Sequence, residues 1–197
     1  MTVFAMLDNI VKKNKGYLKT SDVVAMGVSK PYLKEYVNKR NMVRVAHGVY
    51  VTEDTWEDAM YLLQVRNKRM VFSHETAVYV HTLSDREPDI THVTVPVGYN
   101  ATHLREQGVH VHTVSAKLFT LGVTTKETVF GNKVVCYDME RTICDIIKQK
   151  KNIEIQVFQT ALKEYMRSSE KNLTNLMLYA EAMGIADKVR MYTEVLL

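Results

Sequence analysis

The chain has 197 residues, enough for one large or two small domains. Hydrophobic residues make up 46% and charged residues 24%, a globular balance that excludes disorder, and no stretch approaches the roughly 18 consecutive apolar residues of a membrane span. The net charge of +4 is unevenly spread: residues 1–52 hold nine basic and three acidic side chains, a local +6, which leaves −2 for the rest. A basic small module ahead of a slightly acidic larger one points to a polyanionic partner. Cys136 and Cys144 form neither a metal-ligand pattern nor a disulfide framework, and two free thiols suit a reducing cytoplasm, the expected location.

Val3, Phe4, Leu7, Ile10 and Val11 recur at helical spacing, so the chain is expected to open on a helix, stopped by Asn14-Lys15-Gly16, and not on a signal peptide. Thr20-Ser21-Asp22 is a run of helix-capping residues before a short second helix through Val23, Val24 and Met26. Gly27-Val28-Ser29 is a tight turn. Ser29 is placed to cap a third helix, with Pro31 in its first turn, where a missing N–H costs nothing. Leu33, Tyr36 and Val37 form that helix's inward face; Lys30, Lys34 and Asn38 lie opposite. Val43 to Ala46 and Val49 to Val51 flank a His47-Gly48 turn and read as a hairpin.

Two short helices joined by a glycine-containing turn are a helix-turn-helix, and a following hairpin makes it winged. The third helix is then the element that enters a major groove, with the wing on a neighbouring backbone or the minor groove. The expected DNA-binding residues are Lys19, Ser29, Lys30, Tyr32, Lys34, Asn38, Lys39, Arg40, Arg44 and His47. Winged helices also serve as protein-contact modules; the cations on and beside the third helix favour DNA.

The expected boundary puts a winged helix at 1–52 and an α+β domain at 53–197. Glu53-Asp54-Thr55 is expected to begin a helix running through Trp56, Met60, Leu63 and Val65. Ser73 looks like the cap of another short helix. Strands are expected over Ile90–Val97, Val109–Val114 and Val134–Tyr137. Asp138 caps a helix carrying Ile143, Ile146 and Ile147, with Arg141 and Asp145 spaced for an i,i+4 pair. Three helices close the chain: Ile153–Arg167, Leu173–Met183 stopped by Gly184, and Ala186–Leu197. The class is α+β with helices gathered at the C-terminus. A fragment starting near Thr52 is expected to fold by itself.

SHETAVYVHTLSD at 73–85, THVTVP at 91–96, YDMERTICDII at 137–147 and LKEYMRSSEKNLTNLMLYAEAMGI at 162–185 follow the basic N-terminal module. In this order and spacing they resemble the AbiEi family, antitoxins of abortive-infection, type IV toxin–antitoxin systems. The resemblance covers nearly the whole chain. It implies that the N-terminal domain represses its own promoter at inverted repeats in double-stranded DNA, with self-association on that DNA. It implies that the remainder counters a cognate nucleotidyltransferase-like toxin, AbiEii, without a stable complex being required. It implies no enzyme activity and no cofactor.

The rival class is an enzyme. His74-Glu75 and His81 are seven apart, not the four of a zincin, and lack an evident third ligand. His110 and His112 share one strand face, which suits a metal but more often reflects packing or hydrogen bonding. A winged helix fused to a restriction-type nuclease is the alternative. Asp89 would supply its first carboxylate, but no acidic-x-Lys follows on a strand. No phosphate-cradling glycine loop and no Ser/His/Asp arrangement is legible, so no catalytic residue and no metal ligand is assigned.

Overall fold

The computed structural model describes residues 2–196, with side chains through residue 194. The fold is α+β and divides into two compact units. The first runs through Lys68 and takes back residues 127–133; the second comprises Arg69–Lys126 and Val134 onward.

In the first unit, helix α1 (Val3–Lys13) starts at Thr2, whose side chain accepts from the Ala5 amide, and buries Leu7 and Val11. Strand β1 (Tyr17–Lys19) follows, then α2 (Thr20–Ala25) and α3 (Lys30–Lys39). Gly27 turns the chain between these two helices at φ +79°, a left-handed conformation that disfavours any residue with a Cβ. Strands β2 (Val43–Ala46) and β3 (Val49–Val51) form the expected hairpin. The pattern did not announce β1 as a strand, yet it completes an antiparallel sheet in the order β1-β3-β2, with Leu18 opposite Tyr50. Leu7, Leu18, Val23, Leu33, Tyr36, Val37 and Met42 meet in one apolar core. Each such large side chain contributes roughly 1.5–3 kcal/mol by leaving water.

The expected boundary at residue 52 falls inside this unit. The expected helix from Glu53 is replaced by a turn closed by the Thr55 amide on the Thr52 carbonyl, 3.1 Å, and Trp56 is 80% exposed. Helix α4 (Ala59–Arg66) begins only after Asp58, whose carboxylate accepts from the Tyr61 amide at 3.0 Å. The other Asp58 oxygen accepts from Thr128 Oγ1 at 2.5 Å and Asn132 Nδ2 at 2.9 Å, which draws residues 127–133 into the unit. Tyr61 packs edge-on against Tyr17, and Arg66 donates to the Val45 carbonyl. A cut near Thr52 therefore strips α4 from β1 and β2, and the expected 53–197 fragment is not a structural unit.

The second unit is built on a five-stranded sheet. Its strands are β4 (Val71–Phe72), β5 (His92–Pro96), β6 (His110–Val114), β7 (Val123–Glu127) and β8 (Lys133–Tyr137), in the order β6-β5-β4-β8-β7. Strand β5 runs antiparallel to β4 and parallel to β6, and β4 runs parallel to β8. Helix α5 (His74–Val80) lies between β4 and β5 in the chain, and short helices α6 (Thr102–Glu106) and α7 (Ala116–Phe119) flank β6. Helices α8 (Met139–Lys148), α9 (Ile155–Arg167), α10 (Leu173–Ala182) and α11 (Ala186–Leu196) close the chain. Their apolar stripes meet around Ile143, Ile146, Phe158, Leu162, Leu176 and Val189.

Asp138 caps α8 as expected, accepting from the Arg141 amide at 2.8 Å. Arg141 and Asp145 form the expected i,i+4 pair at 3.1 Å, but inside the core, with side-chain exposures of 1% and 5%. The guanidinium also donates to the carbonyls of Leu118 and Leu121 and lies 4.2 Å from the Tyr137 ring centroid. Gly122 makes room for it: a Cβ there would stand 2.6 Å from the Arg141 Cβ, and its φ is +74°. Burial pushes the Asp145 carboxyl up to about 6 even though Arg141 opposes it. Removing one partner of a buried pair strands the other. Arg141→Ala is expected to cost about 3–5 kcal/mol, read as a shift in the urea midpoint. A loss below about 1 kcal/mol would contradict the role given to this pair.

Candidate functional site

The first unit presents α3 with Leu33, Tyr36 and Val37 inward and Ser29, Lys30, Tyr32, Lys34, Asn38 and Lys39 exposed. Ser29 has the extended backbone of an N-cap, but its side chain makes no capping hydrogen bond. Lys30 and Lys34 take part in no ion pair among the described residues.

The other expected cations are less free. Arg40 grips Asp8 of α1 with two hydrogen bonds, Nε to Oδ1 at 3.0 Å and Nη2 to Oδ2 at 2.5 Å. Tyr36 Oη donates to the same carboxylate at 2.7 Å. Burial alone would raise the Asp8 carboxyl, but these donors hold it below its ordinary range. Arg40 thus ties α3 to α1. Lys39 Nζ lies 5.1 Å from the Phe4 ring centroid, and Lys19 Nζ lies 5.0 Å from that of Tyr61. In the hairpin, Arg44 Nη2 meets His47 Nδ1 at 3.0 Å, and Arg44 Nε donates to the Ala46 carbonyl. The expected ten residues therefore split. Ser29, Lys30, Lys34 and Asn38 are exposed on α3 or at its start, while Tyr32, also exposed, meets the Phe4 ring edge-on; Arg44 and His47 form a pair at the hairpin; Lys19, Lys39 and Arg40 are held against the body of the unit.

The second unit holds an arrangement that reading the sequence strand by strand missed. His92 is the register partner of His110, and Thr94 that of His112. The parallel pairing of β5 and β6 brings three imidazoles together, and His74, the first residue of α5, joins them. The rings stack: His74 on His112 at 3.5 Å between centroids, His112 near His110 at 4.6 Å, and His110 on His92 at 4.8 Å. His92 Nε2 lies 3.0 Å from Glu75 Oε2, and His92 Nδ1 lies 3.1 Å from His112 Nε2. With His92 neutral, its Nε2–H donates to Glu75 and its Nδ1 accepts from His112 Nε2–H, which leaves His112 Nδ1 an acceptor. Apart from the His92–His112 contact, the stacked rings turn faces and not ring nitrogens toward one another. Among the described residues no group of three His, Cys, Asp or Glu side chains is disposed to hold a metal ion.

This array forms one wall of a cavity of about 490 Å³ whose opposite side carries Arg86, Asp89, Ile153 and Glu154. Asp89, the first carboxylate of the nuclease alternative, is 87% exposed and faces Arg86 at 3.7 Å. The four-histidine signal was present as the pattern His-x-His beside Thr-His-Val-Thr, but it needed the β5–β6 register to become a cluster.

No family model and no curated protein matches the chain. Its fold is similar to the crystal structure of the RV2827C protein from Mycobacterium tuberculosis, with a TM-score of 0.54 over 95% of this chain and 78% of that one. The two are 11% identical, so the likeness concerns the fold alone. Among the described residues, no helix is long and apolar enough to cross a membrane.

Burial, with the neighbouring rings adding to it, lowers the proton affinity of His74, His110 and His112, the last to about 4 from an ordinary 6.5. A histidine whose folded pKa is depressed contributes stability that is complete above its unfolded pKa and is lost as pH falls toward the folded one. Discounted for partial exposure, the loss between pH 7 and pH 5 is on the order of 1–2 kcal/mol. The expected result is a urea midpoint that drops over that window in the native chain and drops less in His112→Asn. Parallel pH profiles for the two would show that the array does not titrate in this way.

Proposed function

We propose that the first unit is a winged-helix reader of double-stranded DNA. The reading rests on one observation: Lys30, Lys34 and Asn38 are exposed in an i,i+4 stripe along α3, beside the face that anchors the helix in its core. The element order α1-β1-α2-α3-β2-β3 and the left-handed turn at Gly27 support it, because they set a short helix ahead of a hairpin as such readers require. In this reading α3 lies in the major groove, where exposed side chains meet base edges, and the Arg44–His47 pair meets the backbone. Arg40, held by Asp8, positions α3 and contributes little direct contact.

The proposed biological role is that of the AbiEi-like antitoxin which the motifs at 73–85, 91–96, 137–147 and 162–185 resemble. The chain would repress its own promoter and neutralise a nucleotidyltransferase-like toxin. Support for this second step is the resemblance alone. Induction of an AbiEii-like toxin gene in cells with and without the full chain tests it: growth must be rescued by the chain.

For DNA, the expected signature is a steep fall of affinity with salt, each neutralised phosphate adding about 0.9 to the log–log slope. Lys34→Ala is expected to weaken a promoter fragment by about 1–3 kcal/mol while weakening random DNA less. Arg44→Ala is expected to weaken both alike. Binding that ignores salt, or equal losses on both DNAs for Lys34→Ala, would overturn the assignment of α3 to base readout.

A further inference from the structure

The proposed DNA reading makes no use of the histidine-walled cavity of the second unit, whose lining is chemically one-sided. Three carboxylates, Glu75, Asp89 and Glu154, face it with a single guanidinium, Arg86. Arg86 is already committed, with Nη1 on Glu154 Oε2 at 2.6 Å and Nη2 3.7 Å from Asp89 Oδ2. The imidazoles add acceptors. With His92 neutral, the hydrogen-bond order running from Glu75 through His92 leaves His112 Nδ1 a lone pair, and that atom has no partner among the described residues. Glu75 spends one oxygen on His92; the other has no partner among the described residues. His110 lies on the edge strand β6 and is exposed, and its ring nitrogens have no partner among the described residues. Ile90 and Val157 supply apolar wall.

An acceptor-rich, net negative cavity with an exposed imidazole and apolar side chains in its lining suits a cation that is planar, rich in N–H donors and weakly hydrated. A metal ion is unsuited, since among the described residues no group of three His, Cys, Asp or Glu side chains is disposed to hold one. A compact ammonium is strongly hydrated and has no face to lay on a ring. A guanidinium has both the face and the donors. A volume of about 490 Å³ admits a small molecule or one long side chain, within the range of ligand pockets. We propose that this cavity is a binding site for a guanidinium group, stacked on His110 and donating to Glu75, His112 Nδ1 and Asp89. The Arg86–Glu154 pair at the rim is an intramolecular instance of the same pairing.

The test uses the full chain and agmatine as the probe, followed by calorimetry and thermal shift at fixed ionic strength near pH 8. Agmatine is expected to bind and raise the melting temperature. Putrescine, a dication without a guanidinium, is expected to bind at least tenfold more weakly. His110→Ala removes the exposed face at little cost to the fold and is expected to weaken agmatine at least fivefold, while His110→Phe restores most of the loss. Asp89→Asn, at an exposed position, is expected to weaken it as well. Arginine blocked at both ends identifies the source. If it binds more tightly than agmatine, the natural occupant is an arginine of a polypeptide; if only agmatine enters, it is a free small molecule. The proposal is overturned if agmatine does not bind at about 10 mM, if putrescine matches it, or if His110→Ala leaves its affinity unchanged.

Discussion

The larger unit turns on a guanidinium with no water to face. Arg141 sits on the first turns of α8, and everything it needs comes from protein: a carboxylate one turn on, one carbonyl from α7 and one from the turn after it, and the face of Tyr137. A charge in this setting is tolerable only when all its partners arrive together. That requirement joins β8, α8 and the irregular stretch ahead of β7. It also explains why Gly122 has no side chain and a left-handed backbone: the space a Cβ would occupy belongs to Arg141 and Asp138. The neighbouring polar residues of α8 are placed on the same principle. Glu140 is buried as well, and its oxygen accepts from Tyr165 Oη and the Asn172 amide, so α9 and the start of α10 are pinned to the same helix.

The smaller unit handles charge in the opposite way. Its excess of positive side chains is a property of composition; what matters for recognition is which of them are spent. Asp8 consumes Arg40 and a tyrosine hydroxyl, and Phe4 and Tyr61 each carry a lysine over their rings. These contacts stiffen the platform that carries α3. The cations left over on its open side are fewer than the charge count suggests, and they share one surface of a helix whose other surface is anchored. An ordered helix that has already lost its conformational freedom loses less on binding.

The helices of both units were largely legible because apolar spacing is a local property. The stripe of Leu33, Tyr36 and Val37, the cap at Asp138 and the stop at Gly184 each act within one or two turns. Three features were not legible. Tyr17–Lys19 is too short to show alternation, and it is a strand only because Val49–Val51 lies beside it. The expected helix at Glu53 failed because Asp58 is a better cap than anything before it, and the threonines at 52 and 55 close a turn instead. The histidine array was invisible because its members come from 74, 92, 110 and 112, and only the parallel register of two strands sets them face to face. For the residues proposed to meet DNA, the sequence reveals the charge but not its partners: Arg40 looks as free as Lys34 until Asp8 is seen beside it.

Asp58 has a consequence for the order in which the chain becomes itself. Its carboxylate is shared between the start of α4 and a short segment some seventy residues later. The ribosome releases the N-terminal module first, with its helices and three-stranded sheet complete, but one oxygen of Asp58 has nothing to accept from until Thr128 and Asn132 emerge. Domains are usually finished in the order they are made. Here the first cannot close until nearly half of the second has been synthesised. The two units are therefore laced together by the chain itself, and neither is a bead that recombination could lift out whole: a graft of the leading residues onto another protein would carry Asp58 without the hydroxyl and amide it was shaped to meet.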